Sequence, residues 1–98
     1  MKIIKTQNAD SLNIALVGRL DTSTAPELEA ELKSSLDGIT QLVFDMEKLD
    51  YVSSAGLRVL LSAQKAMAKQ GEMKVIHVNE TVMEIFEVTG FSEILTIE

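Results

Sequence analysis

Two adjacent serines, Ser53 and Ser54, separate a strand-like run ending in Tyr51-Val52 from the apolar stretch that opens Ala55-Gly56-Leu57. Hydroxyls this close to core-type residues have three chemical uses: attacking as nucleophiles, capping a helix, or taking up a phosphate. Nucleophilic use fails for want of a base. The one histidine is His77, inside the run KVIHV, where it reads as a mid-strand residue. There is no G-x-S-x-G elbow, phosphate loop or G-x-G-x-x-G turn. Carboxylate pairs such as Asp45 with Glu47, or Glu27 with Glu31, are spaced like the solvated surface of an acidic chain. No catalytic residue is assigned. The absence of cysteine excludes disulfides and thiolate sites, and a single histidine excludes a multi-histidine metal centre. Neither metal nor cofactor is expected.

Capping and phosphorylation remain. A serine cap at a helix start stabilises by about 1 kcal/mol. The same geometry also favours a phosphate, which would meet unpaired N–H groups and the positive end of the helix dipole. About two added negative charges would then be displayed without unfolding the chain. Such a group is a switch for a protein partner.

Composition narrows that partner. Nine basic residues against 15 acidic give a formal charge of −6 over 98 residues. That balance argues against nucleic acid and against an anionic membrane surface. The start, MKIIKTQNAD, has neither a long apolar run nor a cleavage-site pattern, so a cytoplasmic protein is expected. Self-repulsion favours a monomer. With 46% hydrophobic residues, the chain is expected to fold as one domain, residues 1–98.

The elements that must position the serines follow from periodicity. KIIKTQ and the alternating SLNIALVGRL read as an antiparallel strand pair. Leu28, Leu32 and Leu36 recur every four residues, so DTSTAPELEAELKSSLDG reads as a helix, with Thr24 and Glu27 in a capping-box pattern and Gly38 near its end. TQLVFDM is consecutive enough in apolar residues to suggest a strand covered on both faces. GLRVLLSAQKAMAKQG is a second helix, MKVIHV a strand, NETVMEIFEVTG a third helix capped by Asn79, and EILTIE a last strand. The order β-β-α-β-α-β-α-β predicts an α/β domain with a mixed, mainly parallel sheet. Leu16, Val43, Phe44, Leu57, Leu60, Leu61, Val75 and Phe86 are the expected sheet-facing core.

DYVSSAGLRVLL resembles the signature of the STAS domain, the fold of bacterial anti-sigma factor antagonists. VGRLDTSTAPELEAEL, LVFDMEKLDYV and VMEIFEVTGF are similar to three further segments of that family, in the same order. The family signature reads D-S-x-G-L, and its serine is the phosphorylated residue. Matching Gly56-Leu57 places Ser54 on that serine, with Ser53, the alternative site, where the family has aspartate. The resemblance implies an antagonist that, unphosphorylated, binds an anti-sigma factor with a histidine-kinase-like ATP-binding fold. That partner is also the serine kinase, and a metal-dependent serine phosphatase reverses the modification. The implied partner surface comprises Asp21, Thr22, Ser53, Ser54, Gly56 and Arg58. Read from the residues alone, Asp21 can equally be a turn residue and Arg58 a solvent-facing charge. Other members act as unphosphorylated scaffolds, and a nucleotide- or ligand-responsive sensor is the alternative of a different class.

Overall fold

The computed structural model describes residues 1–98. Strands β1 (Lys2–Asn8) and β2 (Ser11–Leu20) form the expected hairpin, paired from Lys2↔Val17 to Asn8↔Ser11. Helix α1 (Ala25–Ser35) crosses to β3 (Gln41–Val52), which lies parallel to β2. Helix α2 (Ser54–Ala68) crosses to β4 (Glu72–Ile76), parallel to β3, and helix α3 (Glu80–Thr89) follows. The sheet order is β1-β2-β3-β4. This is the mixed, mainly parallel α/β sheet that alternating periodicity predicts.

The core is apolar throughout. Leu12, Ile14 and Leu16 of β2, Leu42, Phe44 and Met46 of β3, and Met73 and Val75 of β4 alternate along their strands onto one face. Leu28 and Leu32 of α1, Leu57 and Leu60 of α2, and Val82 and Phe86 of α3 complete the same cluster. No charged or polar residue is buried in it. Each fully buried side chain of this size contributes about 1.5–3 kcal/mol.

Four local expectations change. The run Leu42-Val43-Phe44 is not covered on both faces: Leu42 and Phe44 are buried, whereas Val43 is half-buried on the opposite face. Leu61 is half-buried as well, because it lies beside the stripe set by Leu57, Leu60 and Met67. His77 is not mid-strand. It follows β4 in a left-handed conformation, φ 57°, with its Nδ1 3.1 Å from Asp45 Oδ1. Finally, the expected last strand is reduced to one parallel bridge, Val75↔Ile97. After the left-handed Gly90, the N–H groups of Ile94 and Leu95 both bond Phe91 O, closing a short 3₁₀ turn (Phe91–Glu93) where a longer strand would have begun.

Strand β3 is longer than its apolar run. It continues through Glu47-Lys48 to Val52, with register irregularities against β2 that return Leu49 and Val52 to the core. One residue, Ser53, then separates strand from helix.

Candidate functional site

Helix α2 starts abruptly, and Ser53 is the reason. Its backbone is extended (φ −89°, ψ 174°), and its Oγ accepts the Gly56 N–H at 3.3 Å. Its own N–H donates to Leu20 O at 2.8 Å, tying the helix start to the end of β2. Capping therefore falls to Ser53 alone. Ser54 is the first helical residue, exposed, and its hydroxyl makes no hydrogen bond within the chain. The first-turn N–H groups of Ser54 and Ala55 also lack a backbone acceptor, as is usual at a helix start. Beside Ser54 lie free donors and the positive end of a 15-residue helix dipole.

Gly56 makes the close approach. A Cβ there would lie 2.6 Å from Leu20 Cγ and 3.0 Å from Leu20 O. Only a residue without a side chain lets the first turn of α2 seat against β2.

The loop after β2 is equally ordered. Asp21 Oδ1 accepts the Ser23 hydroxyl at 2.8 Å, the Ser23 N–H at 3.0 Å and the Thr24 N–H at 3.1 Å. Thr24 Oγ1 accepts the Asp21 N–H at 2.8 Å and donates to Arg19 O at 2.8 Å. The Thr24–Glu27 capping box expected from the pattern does not form. Thr24 is the N-cap by position, but its backbone is already helical and its hydroxyl faces back to Asp21 and Arg19. Asp21 thus braces the loop that leads into α1. The Ser23 hydroxyl, followed by the N–H groups of Thr24 and Ser23, holds the Asp21 carboxyl below its ordinary pKa against an opposing effect of burial. Oδ2 stays on the outer side, with Arg19 Nε at 3.9 Å.

Of the residues singled out in the sequence, Thr22 and Arg58 line one cleft of about 260 Å³ between the starts of α1 and α2, with Ala55 and Glu29 also on its wall. Ser53 and Gly56 face inward as cap and contact. Asp21 is half-buried in the loop, and Ser54 stands on the outer surface. Two neighbours escaped the sequence reading. The Arg19 guanidinium lies 4.4 Å from the centroid of the Tyr51 ring, a cation–π contact between the ends of β2 and β3. The register pair Arg19↔Tyr51 arises only after the irregularity between Gly18 and Arg19, so residue spacing could not reveal it.

The profile of the STAS domain matches residues 2–98. The chain belongs to the STAS-domain family. BtrV of Bordetella bronchiseptica, assigned as an anti-sigma factor antagonist, is 37% identical over 99 residues, covering 99% of this chain and 85% of that protein. The anti-sigma-B factor antagonist of Listeria monocytogenes is 31% identical over 98 residues, covering 97% and 85%. Among solved STAS folds, the unphosphorylated form of the anti-sigma factor antagonist SpoIIAA superposes with a TM-score of 0.77 at 16% identity, covering 99% of this chain and 87% of that one. An anti-sigma factor antagonist from Mycobacterium paratuberculosis superposes with a TM-score of 0.87 at 20% identity, covering 98% and 83%. STAS anti-sigma factor antagonists are regulatory binding proteins rather than enzymes. The geometry also accounts for Ser53 standing where the resemblance drawn from the sequence places an aspartate. Asp and Ser are equivalent N-caps, so Ser53 keeps the helix start and gives up only a charge.

Proposed function

We propose that this chain is an anti-sigma factor antagonist switched by phosphorylation of Ser54. Unmodified, it binds an anti-sigma factor that is also a serine kinase with a histidine-kinase-like ATP-binding fold. Phosphate on Ser54 ends that binding, and a metal-dependent serine phosphatase restores it. The chain acts as a cytoplasmic monomer, and its partner surface is formed by Asp21, Thr22, Ser53, Ser54, Gly56 and Arg58. One observation carries this reading: capping is done by Ser53, so the Ser54 hydroxyl is exposed and free for chemistry.

A phosphate at Ser54 leaves the fold nearly unchanged, because the helix N-terminus favours the added charge. The effect falls on the partner, which must dehydrate a dianion. Without a matching cation that costs several kcal/mol, enough to lower affinity by orders of magnitude. The test pairs pull-down of the cognate kinase with mass spectrometry after incubation with ATP. Ser54→Ala is expected to bind and to stay unmodified. Ser54→Asp is expected to bind poorly while melting at nearly the wild-type temperature. Phosphate on Ser53 would move the switch by one residue, and phosphate on neither serine would leave only the cap.

A further inference from the structure

Arg58 carries a charge that its own helix does not favour. It follows Ser54 by one turn, near the positive end of the α2 dipole, where a cation is destabilising. Its side chain is exposed and enters none of the ion pairs of the chain. Glu29 shares the wall of the α1–α2 cleft with Arg58 but is paired to Lys33, at 3.7 Å. Helix α2 has no acidic residue that could answer the charge. A cation left unanswered in this position is a local conflict of the kind that marks functional sites.

Helix geometry supplies the missing partner. Ser54 and Arg58 are four residues apart, about 6 Å along the axis and about 40° round it. Helical side chains lean toward the N-terminus, so a long side chain at Arg58 reaches back over the turn that Ser54 begins. An anion followed four residues later by a cation is also the favourable order for a helical pair. On the other side of Ser54 the surroundings repel a phosphate, because Glu84 of α3 lines the adjoining groove with Ser54 and Tyr51. Arg19, the only other arginine, is engaged with the Tyr51 ring at 4.4 Å and with Asp21 at 3.9 Å. The next cation along α2, Lys65, is about 16 Å from Ser54 along the axis.

We infer that Arg58 is the internal clamp of the phosphorylated state: it pairs with phosphate on Ser54 and, in doing so, leaves the cleft between α1 and α2. This inference rests on the Ser54 reading and deepens it. A planar guanidinium gives a phosphate two parallel hydrogen bonds, yet it answers only one of about two negative charges. The modified surface therefore stays anionic at Ser54. In the unmodified protein Arg58 is the only cation on the cleft wall, beside Thr22, Pro26 and Glu29. Phosphorylation thus changes the surface in two places at once: an anion appears at Ser54 and a cation withdraws from the cleft.

The experiment places phosphoserine at position 54 during translation, so that no kinase is needed, and checks each fold by circular dichroism. The chain has two arginines, so its nitrogen-15 spectrum carries two side-chain Nε–H signals. On phosphorylation the Arg58 signal is expected to move and to exchange more slowly with water, while the Arg19 signal stays in place. Phosphorus NMR is expected to give a second phosphate pKa about half a unit lower with Arg58 than in Arg58→Gln. Arg58→Lys should recover part of that shift. Arg58→Gln combined with Ser62→Arg keeps the net charge but sets the cation two turns from the phosphate, and should not recover it. An unmoved Arg58 signal, a shifted Arg19 signal in its place, or equal titration with and without Arg58 would overturn the clamp. Calorimetry against the purified cognate kinase keeps the two readings apart. Lost affinity with an unmoved Arg58 defeats the clamp and leaves the switch, whereas a moved Arg58 with full affinity supports the clamp and defeats the switch.

Discussion

Gly56 presses on Leu20 so closely that one added methyl would lie 2.6 Å from the leucine Cγ. Leu20 ends β2 and immediately precedes Asp21, while Gly56 lies in the first turn of α2 with Ser54. This single contact, with the Ser53 N–H to Leu20 O bond of 2.8 Å, brings the Asp21 loop and the two serines together. Gly56→Ala is therefore expected to cost about 1–3 kcal/mol through overpacking. Urea unfolding measures it, and an unchanged midpoint would show that the helix start can shift freely.

The two serines should separate in stability measurements. Ser53→Ala removes the cap and should cost about 1 kcal/mol, which Ser53→Asp should restore. Ser54→Ala touches no intrachain hydrogen bond and should stay within about 0.5 kcal/mol of wild type. Chemical denaturation of the three variants under one condition gives the comparison. A larger loss at Ser54 than at Ser53 would reverse the assignment of the cap.

Acid should reveal the bracing of the Asp21 loop. The folded-state pKa of Asp21 is lowered, so below the usual carboxylate range the unfolded chain takes up a proton before the folded one does. The contribution of Asp21 is thus complete above its unfolded value and is lost as pH falls through the lower folded value. Asp21→Asn should be less stable than wild type at neutral pH, and the gap should narrow as the solution is acidified into that window. Thermal melts from pH 6 downward, spanning the carboxylate range at roughly pH 4, would test this. A gap that stays constant would assign the lost stability to something other than the charge.

Leu60 is fully buried beneath the sheet face. Leu60→Ala should cost about 2–5 kcal/mol, the spread reflecting how far the site can collapse around the cavity. Differential scanning calorimetry would detect the fall in melting temperature.

Much of this molecule was legible in the residue order because it rests on short-range physics. The period-two pattern of β2, the four-residue recurrence of Leu28 and Leu32, and the glycine and asparagine at the ends of α3 each act through neighbours a few positions away. The same is true of a serine pair that must stand at a helix start. What the pattern could not supply were relations set by packing between distant segments. Val43 and Leu42 are adjacent and equally apolar, yet only the placement of the helices decides that one is buried and the other half-buried. The pattern Thr24-x-x-Glu27 satisfies a capping rule, but Asp21 competes for the same N–H group once the loop folds. The tail Glu93–Glu98 has strand-like composition, but the backbone bonds to Phe91 leave it one bridge to β4. Which serine caps and which is exposed was the same kind of question. It was decided where the first turn of α2 meets Leu20, a contact between residues 36 positions apart, because the depth of that seating sets where β3 ends and the helix begins.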